Sequence, residues 1–364
     1  MAKKKPNYKF RRNLAKAFLV LIIIIPIVLI NRVKLAHLPL YLSNTKYTDI
    51  IDAMFEVQYT GSEANNTLNY LKEKKKINDN TDDYILKLYD KGYNKNTIDY
   101  LIRNLNKSQI TDFLDKKYSK DFEEYIKLDL FKYSKYNRYL KYQEKHKDLS
   151  LEDVVIRIEL NMDKTYYEDS EFIKNPDEIT TLANKYYEIP EDYEPKDLVD
   201  MEDDYANNMY GTLTLRKEAY EKFKEMCNAS RKDGVKFYAE SAYRGYNYQN
   251  IIYKNYIDEN GQEKADKYAA RPGFSEHELG LALDLANIWT ITTKGEEYKW
   301  LTKNAYKYGY IIRYKKEWED ITGYSAESWH IRYVGVKAAS VIQKENITYE
   351  EYYAKYILTK KSSK

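Results

Sequence analysis

The stretch Phe274–Asn287, FSEHELGLALDLAN, places charge where charge is costly: Asp284 stands inside an apolar run with no cation beside it in sequence. A half-buried carboxylate needs hydrogen bonds, a cation or a metal to offset its lost hydration. Read as a strand, LALDLA puts Leu281, Leu283 and Leu285 on one face and Ala282, Asp284 and Ala286 on the other. The leucines suit a core, and the two alanines leave room around the carboxylate. His277, seven positions earlier, differs in parity from Asp284, so one uninterrupted strand cannot aim both the same way. Gly280 lies between them and offers a bend.

Two further segments carry reactive residue types. AESWHIRYVG (Ala326–Gly335) holds Glu327 and His330 three positions apart, and SAYRGYNYQ (Ser241–Gln249) holds Arg244 and Gln249. Two histidines and one carboxylate from separate segments, here His277, His330 and Asp284, are a frequent ligand set for catalytic zinc, with a fourth position left for water. A nearby glutamate that does not ligate can serve as general base, and Glu327 is tied to His330 by sequence. Arg244 suits a developing oxyanion or a peptide carboxylate. Taken singly, each has an ordinary reading as a surface arginine, a core histidine or a satisfied aspartate. The other two histidines, His37 and His146, fall in membrane-flanking and polar surroundings and read as solvated.

Composition bounds the alternatives. The 364 residues carry 32% charged side chains but a net charge of only +3, which argues against a dedicated nucleic-acid binder. A single cysteine, Cys227, excludes an internal disulfide and a thiolate metal cluster. It sits on the apolar helical stripe Leu215, Ala219, Phe223, Met226, Cys227 and reads as a small core hydrophobe. Forty-one tyrosines reflect a preference for an amphipathic aromatic, with sugar or peptide stacking open for a few of them.

The chain length suggests two domains plus extras. Residues 1–16 form a basic tail with Lys3, Lys4, Lys5, Lys9, Arg11, Arg12 and Lys16 and no acid. The apolar run Ala17–Ile30 follows, and residues 17–42 read as an uncleaved single-pass anchor with the tail cytoplasmic and the rest extracytoplasmic. Residues 43–160 read as a helical spacer, in which LYDKGYNKNTIDYL (Leu88–Leu101) aligns with FLDKKYSKDFEEYI (Phe113–Ile126) and, more loosely, with Met54–Leu71. Residues 161–200, with Pro190 and Pro195, read as a linker, 201–345 as the chemical domain and 346–364 as a polar tail. In 201–345 the expected elements are helices over 213–228, 246–256, 298–308 and 336–344. Strands are expected at VKFYAESAYR, LALDLA, YIIRY and WHIRYVG. Their mixed order predicts an α+β fold.

With these motifs in this order, the chain resembles the zinc D-alanyl-D-alanine carboxypeptidase family of VanY type over roughly Leu182–Gln343. The carrying residues are SAYR…Q, PGFSEHELGLALD and ESWHIRYVG. The resemblance implies a small mixed zinc-peptidase domain, hedgehog/DD-peptidase-like. It implies Zn2+ held by His277, Asp284 and His330, with Glu327 as base and Arg244 assisting the oxyanion. Gln249, Ser275 and Tyr314 would contact substrate. The implied activity is removal of the terminal D-alanine from peptidoglycan stem peptides by a membrane-anchored enzyme, with D,D-cleavage favoured. L,D-cleavage of tetrapeptide stems, cross-link cleavage and a non-catalytic wall-binding protein are the alternatives. Gly245 after the arginine and Lys315 after the tyrosine depart from the family pattern beside the pocket.

Overall fold

The computed structural model describes residues 32–209, 211–285 and 292–359. Most of the expected anchor, residues 17–31, therefore lies outside the described residues, and among these no helix is long and apolar enough to cross a membrane. Residues 32–42, counted with the anchor from sequence, are folded against helices: Leu40 and Tyr41 are buried, and Lys34 pairs with Asp52 at 2.8 Å. His37 and His146, expected to be solvated, are half-buried: His37 stacks on Phe55 and His146 on Tyr142.

The chain divides into two compact units, Met1–Leu128 and Asp129–Lys364. In the first, helices α1 (Leu38–Ser43), α2 (Thr48–Glu56), α3 (Gly61–Glu73), α4 (Thr81–Asp90), α5 (Lys95–Asn104), α6 (Lys107–Asp115) and α7 (Lys120–Tyr125) follow one another. The internal repeat has a structural counterpart. Each copy runs from the end of one helix through a turn into the next, and α3, α5 and α7 start at side-chain caps Thr60, Asn94 and Ser119. A tyrosine precedes each cap, and Tyr59 and Tyr93 are buried while Tyr118 is exposed.

The second unit opens with α8 (Tyr136–Lys145) and α9 (Leu151–Glu159), residues that the sequence had placed with the spacer. The segment read as a linker is folded. It forms β1 (Glu171–Phe172), β2 (Tyr187–Glu188) and β3 (Leu198–Asp200), and buries Leu182, Ala183, Lys185 and Ile189. β3 pairs with β4 (Thr214–Arg216), so the helix expected from 213 begins only at Lys217 as α10 (Lys217–Lys232). Long-range strand pairing overrides helical periodicity there. β5 (Ala239–Ser241) is shorter than VKFYAESAYR suggested, because only these residues reach a partner strand. Helices α11 (Tyr246–Asn260) and α12 (Gln262–Tyr268) lead to β6 (Ala282–Leu285), α13 (Glu296–Asn304), β7 (Tyr310–Tyr314), α14 (Glu319–Thr322), β8 (Glu327–Tyr333) and α15 (Val336–Glu345).

Strands β5, β6, β8 and β7, in that spatial order, make one antiparallel sheet, the α+β arrangement expected. One face packs on α10: Leu281, Leu283 and Leu285 join Ala219, Phe223, Met226 and Cys227 in a single core, all fully buried. Burial pushes the Cys227 thiol up to about 12, as befits an inert core residue. The predicted polar tail is also corrected. Thr348 caps α16 (Tyr349–Tyr352), and Tyr349, Glu350, Tyr352 and Ala354 are buried. Its tyrosines are polar in composition yet bury their rings.

Candidate metal centre

Asp284 of β6 and His330 of β8 are register partners, so both side chains leave the same face of the sheet. Glu327, at the start of β8, stands opposite Tyr314 of β7. His277 arrives by another route. It lies in a 3-10 turn, Glu276–Leu279, that starts at a capping box between Ser275 and Glu278, with Ser275 Oγ accepting from the His277 amide at 3.3 Å. Gly280 ends that turn at φ +64°, and a Cβ there would sit 2.9 Å from Arg216 Cγ. The left-handed glycine is the bend that resolves the parity mismatch between His277 and Asp284.

The donors converge. His277 Nδ1 donates to the Ala242 carbonyl at 2.6 Å, which leaves Nε2 facing Asp284 Oδ2 at 3.4 Å with no hydrogen-bond partner. His330 Nδ1 lies 3.2 Å from Asp284 Oδ1 and 3.5 Å from Glu327 Oε2. One ligand atom each from His277, Asp284 and His330 falls within 4.8 Å of the others. Two imidazoles, one carboxylate and an orphaned, buried Nε2 aimed at the common point fit a zinc ion. Arg244 Nη1 stands 3.6 Å from Asp284 Oδ2.

Environment separates the titrating groups. Burial opposes ionisation of Asp284, but His277, His330 and Arg244 outweigh it and hold the carboxyl well below its usual range. At Glu327 burial wins: His330 and Arg244 offset it only in part, the Asp284 charge adds to it, and the carboxyl is raised to about 7. Burial lowers His277 to about 4, whereas at His330 the Asp284 and Glu276 carboxylates override burial and raise it to about 9. Burial also raises Glu278 to about 7, although the Gly273 and Ser275 amides donate to it.

All eight residues singled out from sequence line one cavity of about 140 Å3: Arg244, Gln249, Ser275, His277, Asp284, Tyr314, Glu327 and His330. Gln249 donates through Nε2 to the Ala270 carbonyl, and its buried Oε1 is unpartnered. The Tyr314 ring lies 4.9 Å from that of His330. Of the departing residues, Gly245 caps α11, and Lys315 sits over the Trp318 ring 4.0 Å away without lining the cavity. A larger cleft of about 440 Å3, around Lys132, Lys135 and Glu159, contains none of the eight. Trp329, read from sequence as apolar bulk beside Glu327 and His330, also lines the cavity, whereas Glu276, Tyr256, Tyr268 and Tyr324 were not singled out. Of these, only Glu276 carried a signal, as a buried acid between Ser275 and His277.

Residues 212–336, which span β4 to β8, match the family described as VanY, D-alanyl-D-alanine carboxypeptidase. A Bacillus subtilis (strain 168) protein named "Putative carboxypeptidase YodJ" is 42% identical over 211 residues, covering 54% of this chain and 77% of that protein. The chain belongs to the VanY family. As a member it is a zinc metallopeptidase of D-alanyl-D-alanine carboxypeptidase type. Two solved structures are similar to this VanY-family chain. The LdcB LD-carboxypeptidase is 42% identical, with a TM-score of 0.48, over 52% of this chain and 92% of its own. A mutant of the vancomycin-resistance D,D-pentapeptidase VanY in complex with Zn(II) is 31% identical, with a TM-score of 0.42, over 48% and 97%.

Proposed function

We propose that this enzyme removes the terminal D-alanine from peptidoglycan stem peptides, cleaving the D,D bond of pentapeptide stems. The observation that carries the reading is the convergence of His277, Asp284 and His330 beside a raised Glu327 in one cavity. His277, Asp284 and His330 would hold a zinc ion, which when bound would supply Lewis acidity to a water and to the scissile carbonyl. Glu327, the carboxylate nearest His330 Nδ1 that is not itself a ligand, takes the proton of the attacking water and returns it to the leaving amine. Arg244 brings a guanidinium to the side of the cavity where negative charge develops on the former carbonyl oxygen. Gln249 Oε1, the Ser275 hydroxyl and Tyr314 supply polar contacts for the peptide and its carboxylate.

The basic residues 1–16 and the apolar run 17–30 support a membrane anchor with the enzyme on the extracytoplasmic side, facing its wall substrate. The test is product mass after incubation with tetra- and pentapeptide stems, for the native enzyme and for Glu327→Ala. Release of one alanine from the pentapeptide, at least about 100-fold slower in the variant, is expected. Alanine loss from the tetrapeptide alone makes it an L,D-carboxypeptidase. Equal release by both proteins removes Glu327 from the mechanism.

A further inference from the structure

Beneath the donor atoms lies a layer of buried charge that the proposed reaction does not use. Glu276, Arg313, Arg332 and Glu350 are all buried to within 2% of complete exclusion from solvent. They come from four elements: the 3-10 turn, β7, β8 and α16. Glu350 takes both Nη groups of Arg313, at 3.0 and 2.6 Å, and accepts from Asn184 at 3.3 Å. Arg313 Nε is thereby left for Glu276 Oε1, at 2.8 Å, and Arg332 Nη1 reaches the same oxygen at 3.2 Å. The second oxygen, Oε2, has no hydrogen bond and faces His330 Nε2, equally unpartnered, at 3.4 Å.

This arrangement has a direction. One oxygen of Glu276 is held by a hydrogen bond from Arg313 and the nearby charge of Arg332, and the other is presented to the imidazole nitrogen opposite the one that faces Asp284. Four buried charges are a poor device for stability, since apolar groups of like volume do as well. They are a good device for holding one orientation. A ligating imidazole that donates its other N–H to a carboxylate is fixed in tautomer and made more basic. We propose that Glu276 is the positioning residue for His330, and that Glu350, by neutralising Arg313, keeps Glu276 available to it. The last helix, outside residues 212–336, then tunes metal affinity from below the site. The proposal rests on the assignment of His330 as a ligand.

The test is zinc affinity by competition with a chelating dye, alongside melting temperature in excess chelator. Glu276→Gln is expected to weaken zinc roughly 10- to 100-fold. Glu350→Gln is expected to weaken it in the same direction by less, with no further loss in the Glu276→Gln background. Equal losses from Glu350→Gln in both backgrounds, or native affinity in Glu276→Gln, overturn the proposal. If His330→Ala keeps native affinity, the ligand assignment itself fails. Should Glu276→Gln not fold, 15N NMR of the native zinc-loaded enzyme decides. A slowly exchanging proton on His330 Nε2 is expected, and an unprotonated Nε2 overturns the inference.

Discussion

Asp284 and Glu327 face one cavity as two carboxylates with opposite fates. Asp284 has two imidazoles and a guanidinium around it and stays ionised, while Glu327 is buried with less compensation and is poised near neutrality. Environments that push like groups apart divide their roles, one to hold a cation and the other to carry a proton. The same shifts set a pH dependence for the metal-free protein. Glu327 and Glu278 are raised from 4.5 to about 7, so the folded state binds more protons than the unfolded one and stability falls across that range. His277, lowered from 6.5 to about 4, works the other way, but its gain is complete by pH 6.5. His330, raised from 6.5 to about 9, loses its contribution above 6.5. The chelated enzyme is therefore expected to lose melting temperature as pH rises from 6.5 to about 8. Zinc, which holds both histidines deprotonated, should flatten that slope. A scan with and without chelator checks it, and a rising melting temperature in chelator contradicts the assignment.

At the scale of elements, the turn from His277 into β6 is the critical joint. Gly280 adopts φ +64°, and a side chain there meets Arg216 Cγ at 2.9 Å. Gly280→Ala combines left-handed strain of about 1–2 kcal/mol with a steric conflict against a buried arginine. It should lower the melting temperature and weaken zinc, because the turn carries one ligand and β6 another. An unchanged zinc affinity would mean that His277 is placed by something other than this bend. The sheet itself was legible in outline. YIIRY forms β7 over Tyr310–Tyr314 as read, and the alternating leucines of β6 do face the core. The helix expected from residue 213 starts later, at Lys217, because Thr214–Arg216 pair with β3, a strand in the segment expected to be a linker.

At the scale of the molecule, domain limits drawn from composition proved too narrow for the catalytic unit. The strap before residue 201 is polar and proline-bearing, yet Arg332 donates to the carbonyls of Ile179 and Thr181 and Lys185 donates to those of Asp266 and Gly323. Leu182 and Ile189 are each 1% exposed, and burial of such side chains is worth about 2 kcal/mol apiece. A chain starting at Asp129 is expected to keep zinc binding and alanine release. One starting at Met201 should melt markedly lower and bind zinc poorly. Equal melting temperatures would show that the strap is dispensable.

Sequence by itself supplied the residue types for the chemistry. His277, Asp284 and His330 as a candidate ligand set, with Glu327 and Arg244 beside them, follow from residue type, from an unpaired carboxylate among leucines and from the motifs shared with the VanY family, because ligand types are local properties. What only tertiary structure decided was the support: which strands are neighbours, that Glu276 faces His330, and that Arg313 and Glu350 from distant segments hold it. Arg313 gave the same clue as Asp284, a lone charge in an apolar run, but its partner lies 37 residues away in an apparent tail. Pairing between buried charges depends on how elements pack in space, and no local pattern in the chain encodes that distance.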